Sequence, residues 1–340
     1  MELSRITTLH VGGPAARYER VTTESQLRDA ALSAWSDGDE WLVLGGGSNV
    51  VVADQGFEGS VIHVATTGID RLEDAGGRVR LRVQVGESWD GLVAHAVAHG
   101  WSGIEALSGI PGSAGAAPIQ NIGAYGQELS GSLVAIQFLD YLTGEVERVS
   151  ADDLELGYRT SALKRGRQGV VLSIDLELAD SPVGTVGYEQ LAGALGVEVG
   201  ARVPIADIRS QVLSLRASKG MVLDPADPDT VSCGSFFTNP IVSERFAHGL
   251  PPETPRWLQD DDTSVKLSAA WLIEQAGIGR GFALPGSRAA ISSKHTLAIT
   301  NRGGASAEQV AELSRYVRAQ VANRFGVELQ PEPIAVGVAL

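Results

Sequence analysis

The stretch SCGSFFTNP, residues 232–240, places the chain's only cysteine, Cys233, two positions before Ser235, with Gly234 between them and Phe236 and Phe237 behind. Either side chain suits chemistry. A thiol or hydroxyl can be a nucleophile once a base removes its proton, and it can equally act as a proton donor. Both are also small enough to pack under an aromatic pair. The stretch alone leaves the three readings open.

Two glycine-rich stretches suit ligand binding. LGGGSNVVV (44–52) sets Gly45, Gly46, Gly47, Ser48 and Asn49 between two apolar runs. A dinucleotide fingerprint needs G-x-G-x-x-G ahead of a helix, whose N-terminus meets the pyrophosphate. Here Val50 replaces the last glycine and a β-branched run follows, so the test fails. What remains is a strand–turn–strand whose N–H groups can converge on an anion, or a plain hairpin turn. GIPGSAGAAPIQNIGAYGQE (109–128) mixes small residues with Gln120 and Asn121. Small residues allow close approach to a flat ligand, and amides suit the polar edges of a heterocycle. Ile110, Ile119, Ile122 and Tyr125 argue against a disordered linker.

Cations gather twice: Tyr158, Arg159, Lys164 and Arg165 in LGYRTSALKRG (156–166), and Arg216 with Lys219. A solvated loop and a helix C-terminus would look the same. His95 and His99 have the i, i+4 spacing of a zinc pair, but Ala-Val-Ala between them lacks the glutamate of H-E-x-x-H. No metal site is expected. No P-loop lysine and no G-x-S-x-G elbow occur.

Composition narrows the setting. With 340 residues, 44% hydrophobic and 20% charged, the chain reads as globular, with one large or two to three modest domains. A formal charge of −14 repels nucleic acid and anionic membranes, so neither is an expected partner. No apolar run approaches the ~18 residues that span a bilayer. MELSRITTLHVGG has no apolar signal core, so a cytoplasmic protein is expected. One cysteine excludes an internal disulfide and a cysteine metal cluster.

The positioning elements follow from caps and periodicity. Thr23-x-x-Gln26 caps a helix carrying Leu27, Ala30, Ala31, Ala34 and Trp35. WLVL (41–44) reads as a buried strand and VVV (50–52) as another. VRLRVQV (79–85) alternates as a half-buried strand, and VVLSIDLEL (170–178) alternates in the same way. Ser88 caps a helix ending at Gly100. Residues 133–149 form a hairpin turning at Thr143-Gly144. Pro204 opens a helix with Ile205, Ile208, Val212 and Leu215 inward. Ser306-x-x-Gln309 heads a helix with Val310, Leu313, Val317 and Val321 inward, stopped by Gly326. The pattern is α+β without regular βαβ alternation, with seams near residue 67 and in VLDPADPDT (222–230).

Taken in order, TTLHVGGPA (7–15), LGGGSNVVV, IPGSAGAAPIQNIGAYGQE, YRTS (158–161), GSFFTNP (234–240), KLSAAWLIEQAG (266–277) and LQPE (329–332) resemble the blocks of the UDP-N-acetylenolpyruvoylglucosamine reductases, flavoenzymes of peptidoglycan precursor synthesis. The seven blocks cover nearly the whole chain. The resemblance implies an α+β, FAD-binding fold of the vanillyl-alcohol-oxidase type. Residues 1–67 and 68–219 would be its two FAD-binding subdomains, and 220–326 an α+β substrate-binding domain. The tail, 327–340, would fold back to join the first subdomain.

The resemblance also implies roles. Gly45, Gly46, Gly47, Ser48 and Asn49 would cradle the FAD pyrophosphate. Gly112, Ser113, Gly115, Gln120, Asn121 and Ala124 would line the rest of the cofactor. NADPH would reduce the flavin and leave, and the flavin would then give a hydride to the vinyl carbon of a UDP-linked enolpyruvyl sugar. The adjacent carbon, which carries the carboxylate, must then take a proton. Ser235 would donate it, Arg159 would pair with the developing charge, and Glu332 would act on the carboxylate from the other side. Tyr188, Lys219 and Asn239 would hold the UDP-sugar, with Tyr125 and Arg216 beside them. PVGTVGYEQLAGALG (182–196) resembles the tyrosine-bearing loop of one branch of the family. A monomer is implied. Departures are Thr238, where the family often has lysine, and PEPIA, which lacks the Val and Arg that often follow Pro-Glu. A flavin-dependent alcohol or lactone oxidase of the same fold is the alternative enzyme. A flavin-binding scaffold is the non-catalytic one, though it would need none of Arg159, Ser235 and Glu332.

Overall fold

Three helices begin where their caps predict. Thr23 Oγ1 accepts the Gln26 N–H (3.2 Å) at the head of Glu24–Ser36. Ser88 Oγ accepts the Gly91 N–H (3.2 Å) at the head of Trp89–Ala98. Ser306 Oγ accepts the Gln309 N–H (3.1 Å) at the head of Ala307–Phe325. Each such cap contributes about 1 kcal/mol. The return bonds of the two Thr/Ser-x-x-Gln pairs go elsewhere. Gln26 Oε1 accepts from the N–H of Thr22 (2.9 Å), and Gln309 Oε1 from that of Arg288 (3.1 Å). The Asp54 carboxylate completes the third helix by accepting the Ala307 (2.7 Å) and Glu308 (3.1 Å) N–H groups.

The computed structural model describes residues 1–72, 76–259 and 261–340. They gather into two units. The first comprises Met1, Ala15–Gly47 and Glu58–Ser218; the second comprises Glu2–Pro14, Ser48–Phe57 and Lys219–Leu340.

In the first unit, a three-stranded sheet has the order Ala15–Val21, Phe57–Val64, Trp41–Leu44. A larger sheet has the order Val146–Ser150, Leu133–Asp140, Gly169–Asp180, Arg78–Gln84, Ile69–Arg71. The expected hairpin is present: Leu133–Asp140 pairs antiparallel with Val146–Ser150. Gly169–Asp180 departs from its alternating pattern, because residues 170–176 are all buried. It is a central strand covered on both faces, and its buried carboxylate is neutralised rather than solvated. Asp175, buried, takes both Arg82 Nε (2.8 Å) and Arg148 Nη2 (3.2 Å) from the neighbouring strands.

In the second unit, Ile241–Ser243, Ser264–Leu267 and Arg256–Leu258 form a small antiparallel sheet, and Ala289–Ile291 pairs with Ile299–Asn301. Helix Ala307–Phe325 buries Val310, Leu313, Val317 and Val321, each contributing roughly 1.5–3 kcal/mol of transfer free energy. Strand Val50–Val52 pairs in parallel with Ile334–Val336. The strands flanking GGGSN therefore do not form a hairpin. Trp41–Leu44 pairs with Phe57–Val64 in the first unit, and Val50–Val52 with the tail in the second.

No helix among the described residues is long and apolar enough to cross a membrane.

Candidate active site

The glycine loops meet in the first unit. A Cβ on Gly46 would lie 2.8 Å from Gly112 Cα, and one on Gly45 would overlap Ser113 Oγ. At Gly46 two backbones thus pack with no room for a side chain, which only glycine permits, while at Gly45 the space is taken by the Ser113 side chain. Segment 112–115 is stitched to 85–89 through Trp89 N–H to Gly112 O (3.1 Å), Ala114 N–H to Glu87 O (2.8 Å) and Gly115 N–H to Val85 O (2.9 Å). A Cβ on Gly115 would stand 2.5 Å from Val85 Cβ. A tight, glycine-rich bed suits an extended cofactor whose pyrophosphate is read by backbone N–H groups. The candidates Gly45, Gly46, Gly112, Ser113 and Gly115 are brought together there; Ser48 and Asn49 belong to the second unit.

Past the bed, the 3-10 helix Ala114–Gln120 ends at Asn121, which is left-handed (φ 46°). The Asn121 amide, a candidate cofactor contact, holds its own loop. Nδ2 donates to Glu128 Oε2 (2.9 Å) and Gly157 O (3.2 Å), and Oδ1 accepts the Ser130 N–H (2.9 Å). Gln120 Oε1 lies 3.4 Å from Lys164 Nζ. Ala124 lies on the ribbon Gly123–Ala124/Gln127–Glu128, whose turn residues Tyr125 (φ 47°) and Gly126 (φ 83°) are both left-handed.

A cation from a separate segment fastens to that ribbon. Arg159, left-handed at φ 53°, donates from Nη2 to Gly123 O (2.9 Å) and lies 5.5 Å from the Tyr158 ring centroid. Tyr125 meets Tyr188 edge to face at 5.9 Å. Tyr188 immediately precedes the helix Glu189–Leu195 and is 45% exposed, so a ligand can reach it. Arg216 is buried on the helix Ile205–Ala217, where burial lowers its pKa while Tyr125 and Asp90 oppose the fall. Asp90 itself works against burial, but two bonds from Arg209 and one from the Gly109 N–H hold its carboxyl below the usual range.

In the second unit, Gly234 turns left-handed (φ 72°) and sets Ser235, which is half-buried. Phe236 and Phe237 are buried behind it, edge to face at 5.3 Å. Residues 236–238 run antiparallel to 330–332 through Glu332 N–H to Phe236 O (2.8 Å), a Phe237–Pro331 bridge and Thr238 N–H to Gln330 O (3.1 Å). That pairing brings Glu332 to the serine segment. Asn49 fastens the same ledge, with Nδ2 donating to Glu332 O (3.3 Å) and its own carbonyl accepting the Ile334 N–H (2.9 Å). Cys233 is buried and donates to Val50 O (3.5 Å); burial pushes its thiol up to about 12. It is no nucleophile at neutral pH. Asn239 Oδ1 accepts the Ala269 N–H (3.0 Å), and Lys219 opens this unit's long C-terminal segment.

One residue was missed by sequence reasoning. His295 Nε2 lies 3.4 Å from Ser235 Oγ. No motif marks it, because its partner is sixty positions away in sequence.

Comparison with known proteins decides the family. A sequence model of the FAD binding domain matches residues 15–150, and one of the UDP-N-acetylenolpyruvoylglucosamine reductase C-terminal domain matches residues 225–336. A curated UDP-N-acetylenolpyruvoylglucosamine reductase of Leifsonia xyli subsp. xyli is 57% identical over 99% of this chain and 98% of its own. The chain belongs to the UDP-N-acetylenolpyruvoylglucosamine reductase family. A second member of that name, from Salinispora arenicola, is 50% identical over 99% of this chain and 95% of its own. The crystal structure of UDP-N-acetylenolpyruvylglucosamine reductase from Thermus caldophilus superposes with a TM-score of 0.67 at 27% identity, covering 99% and 97% of the two chains. Membership in this reductase family does not favour the oxidase alternative.

Proposed function

We propose that this chain reduces UDP-N-acetylglucosamine enolpyruvate to UDP-N-acetylmuramate for peptidoglycan precursors, with FAD bound and NADPH as the source of electrons. What carries the reading is the pairing of residues 236–238 with 330–332, in a chain of this family. It gathers a hydroxyl and a carboxylate on one ledge, for a substrate whose reacting carbon bears a carboxylate. FAD, when bound, supplies the hydride.

The protein's own residues divide the remaining work. Gly45, Gly46 and Gly47 continue into Ser48 and Asn49 as the pyrophosphate loop, and Gly112, Ser113, Gly115, Gln120, Asn121 and Ala124 form the rest of the bed. Asn121 contributes by holding its loop in shape. Ser235 Oγ gives its proton to the carbon beside the carboxylate. Arg159, a planar cation fixed by Gly123 O, meets the charge that develops on that carboxylate. Glu332 acts on the same carboxylate. Tyr188, Tyr125, Arg216, Lys219 and Asn239 hold the UDP-sugar, and the Tyr125–Tyr188 pair supports placing the chain in the tyrosine-loop branch. In functional terms the chain divides at 67, 219 and 326, with 327–340 joined to the first part, a joining supported by the parallel pairing of Val50–Val52 with Ile334–Val336. A cytoplasmic monomer completes the reading.

The test uses the purified holoprotein under anaerobic conditions. NADPH should bleach the flavin, and the enolpyruvyl nucleotide should restore its colour with one lactyl ether formed per flavin. Bleached enzyme that stays colourless in the presence of the nucleotide would overturn the reading.

A further inference from the structure

A serine hydroxyl is a weak acid, so a proton leaves it readily only if something stabilises the alkoxide that remains. We propose that His295 is the positioning residue that does so. It donates from Nε2–H to Ser235 Oγ, turning the hydroxyl hydrogen outward and holding the alkoxide as it forms. The inference rests on Ser235 being the proton donor.

Geometry supports it from two directions. The serine segment and the histidine loop are zipped together by Phe236 N–H to Leu297 O (2.7 Å), a Ser232–Thr300 bridge and Asn301 N–H to Val231 O (2.9 Å). This register holds the two side chains at 3.4 Å. That is long for a hydrogen bond, as such contacts commonly are before substrate binds. The loop 292–295 is itself clamped. The buried Ser292 Oγ accepts the Lys294 (3.0 Å) and His295 (3.2 Å) N–H groups. The buried Asp229 carboxylate accepts both the N–H (2.9 Å) and the Oγ–H (2.5 Å) of Ser293, and Lys294 Nζ reaches Asp227 (2.6 Å). So much bonding behind one turn serves to aim the side chain at its end.

The step balances. The Ser235 O–H bond breaks as the C–H bond forms, and its electron pair stays on Oγ under the His295 N–H. Oγ recovers a proton from water after product leaves, and the imidazole keeps its own proton throughout.

The experiment measures NADPH bleaching and nucleotide-driven flavin reoxidation separately, by stopped flow, in Ser235→Ala, His295→Ala, His295→Gln and the Ser235→Ala/His295→Ala double variant. His295→Ala should slow reoxidation about 100-fold, with bleaching and KM for the nucleotide unchanged. His295→Gln, which keeps an N–H donor, should recover most of that loss, and the double variant should be no slower than Ser235→Ala. Ring 15N shifts of the wild-type protein should show Nε2 protonated, and this measurement holds even if a variant fails to fold. An unprotonated Nε2, or wild-type reoxidation in His295→Ala while Ser235→Ala is slow, would overturn the inference alone. Wild-type reoxidation in Ser235→Ala would remove the serine's own role first.

Discussion

The glycine bed of the first unit and the serine ledge of the second solve opposite problems. At the bed, what matters is what has been left out. Gly45 and Gly46 pack on Gly112 and Ser113 so closely that one added carbon has nowhere to go. At the ledge, what matters is a single side chain and the backbone that aims it. Paired segments converge on Ser235 from the tail and from the loop that carries His295. An extended, charged cofactor is best met by bare backbone N–H groups, whereas a proton transfer needs one group held within hydrogen-bonding reach. Damage to each should therefore look different.

Ser235→Ala should give the largest effect: a fall of about a thousandfold in nucleotide-driven reoxidation, within the usual range for general acids, while the protein stays yellow and NADPH still bleaches it. Slow bleaching with normal reoxidation would erase the contrast. Gly45→Ala should do the reverse, weakening FAD binding roughly thirtyfold, as expected for about 2 kcal/mol of overpacking. Flavin content after gel filtration reads this directly. Adding Ser113→Ala removes the overlapping Oγ and leaves Cβ 3.1 Å from the new methyl, so flavin should return toward the level of Ser113→Ala alone. No recovery would mean that Gly45 is not limited by that contact.

Arg159→Lys should come next, lowering kcat about tenfold to a hundredfold with little loss of flavin, because a point charge replaces a planar fork. A drop in flavin content instead would assign Arg159 to the bed. The smallest effect concerns Cys233. Its thiol keeps its proton to about 12 in the folded chain, whereas an unfolded thiol loses it near 8.5. Between these values the folded state binds more protons, so stability falls as pH rises through that window and is untouched below it. Urea unfolding at about pH 8 and 10 should show a smaller decline in Cys233→Ala than in wild type, by at most roughly 1.4 kcal/mol per pH unit. Equal declines would show that the thiol is not the group responsible.

Sequence disclosed what neighbours in the chain decide. The caps at Thr23, Ser88 and Ser306, the inward stripe of Ala307–Phe325 and the hairpin at 143–144 all rest on residues a few positions apart. It misled where a distant partner rules. Asp175 looked like a solvent-facing position until Arg82 and Arg148 arrived from flanking strands. Val50–Val52 reads as a strand, with a hairpin as one of two open readings, whereas its partner lies in the tail. The bonds that the Asn121 amide makes to Glu128, Ser130 and Gly157 were equally out of reach of the sequence. His295 was silent because histidine in SSKHT has no spacing signature; only the pairing of residues 231–236 with 297–301 makes it a neighbour of Ser235.

Asn121, Tyr125 and Arg159 are all left-handed without being glycine, at a cost of about 1–2 kcal/mol each. A directed-evolution campaign rewarding heat resistance alone would be drawn to glycine at Tyr125 and Arg159. It would relax the backbone and discard the ring and the guanidinium in the same stroke. Libraries aimed at a sturdier protein should therefore hold those codons fixed and look for gains at other positions.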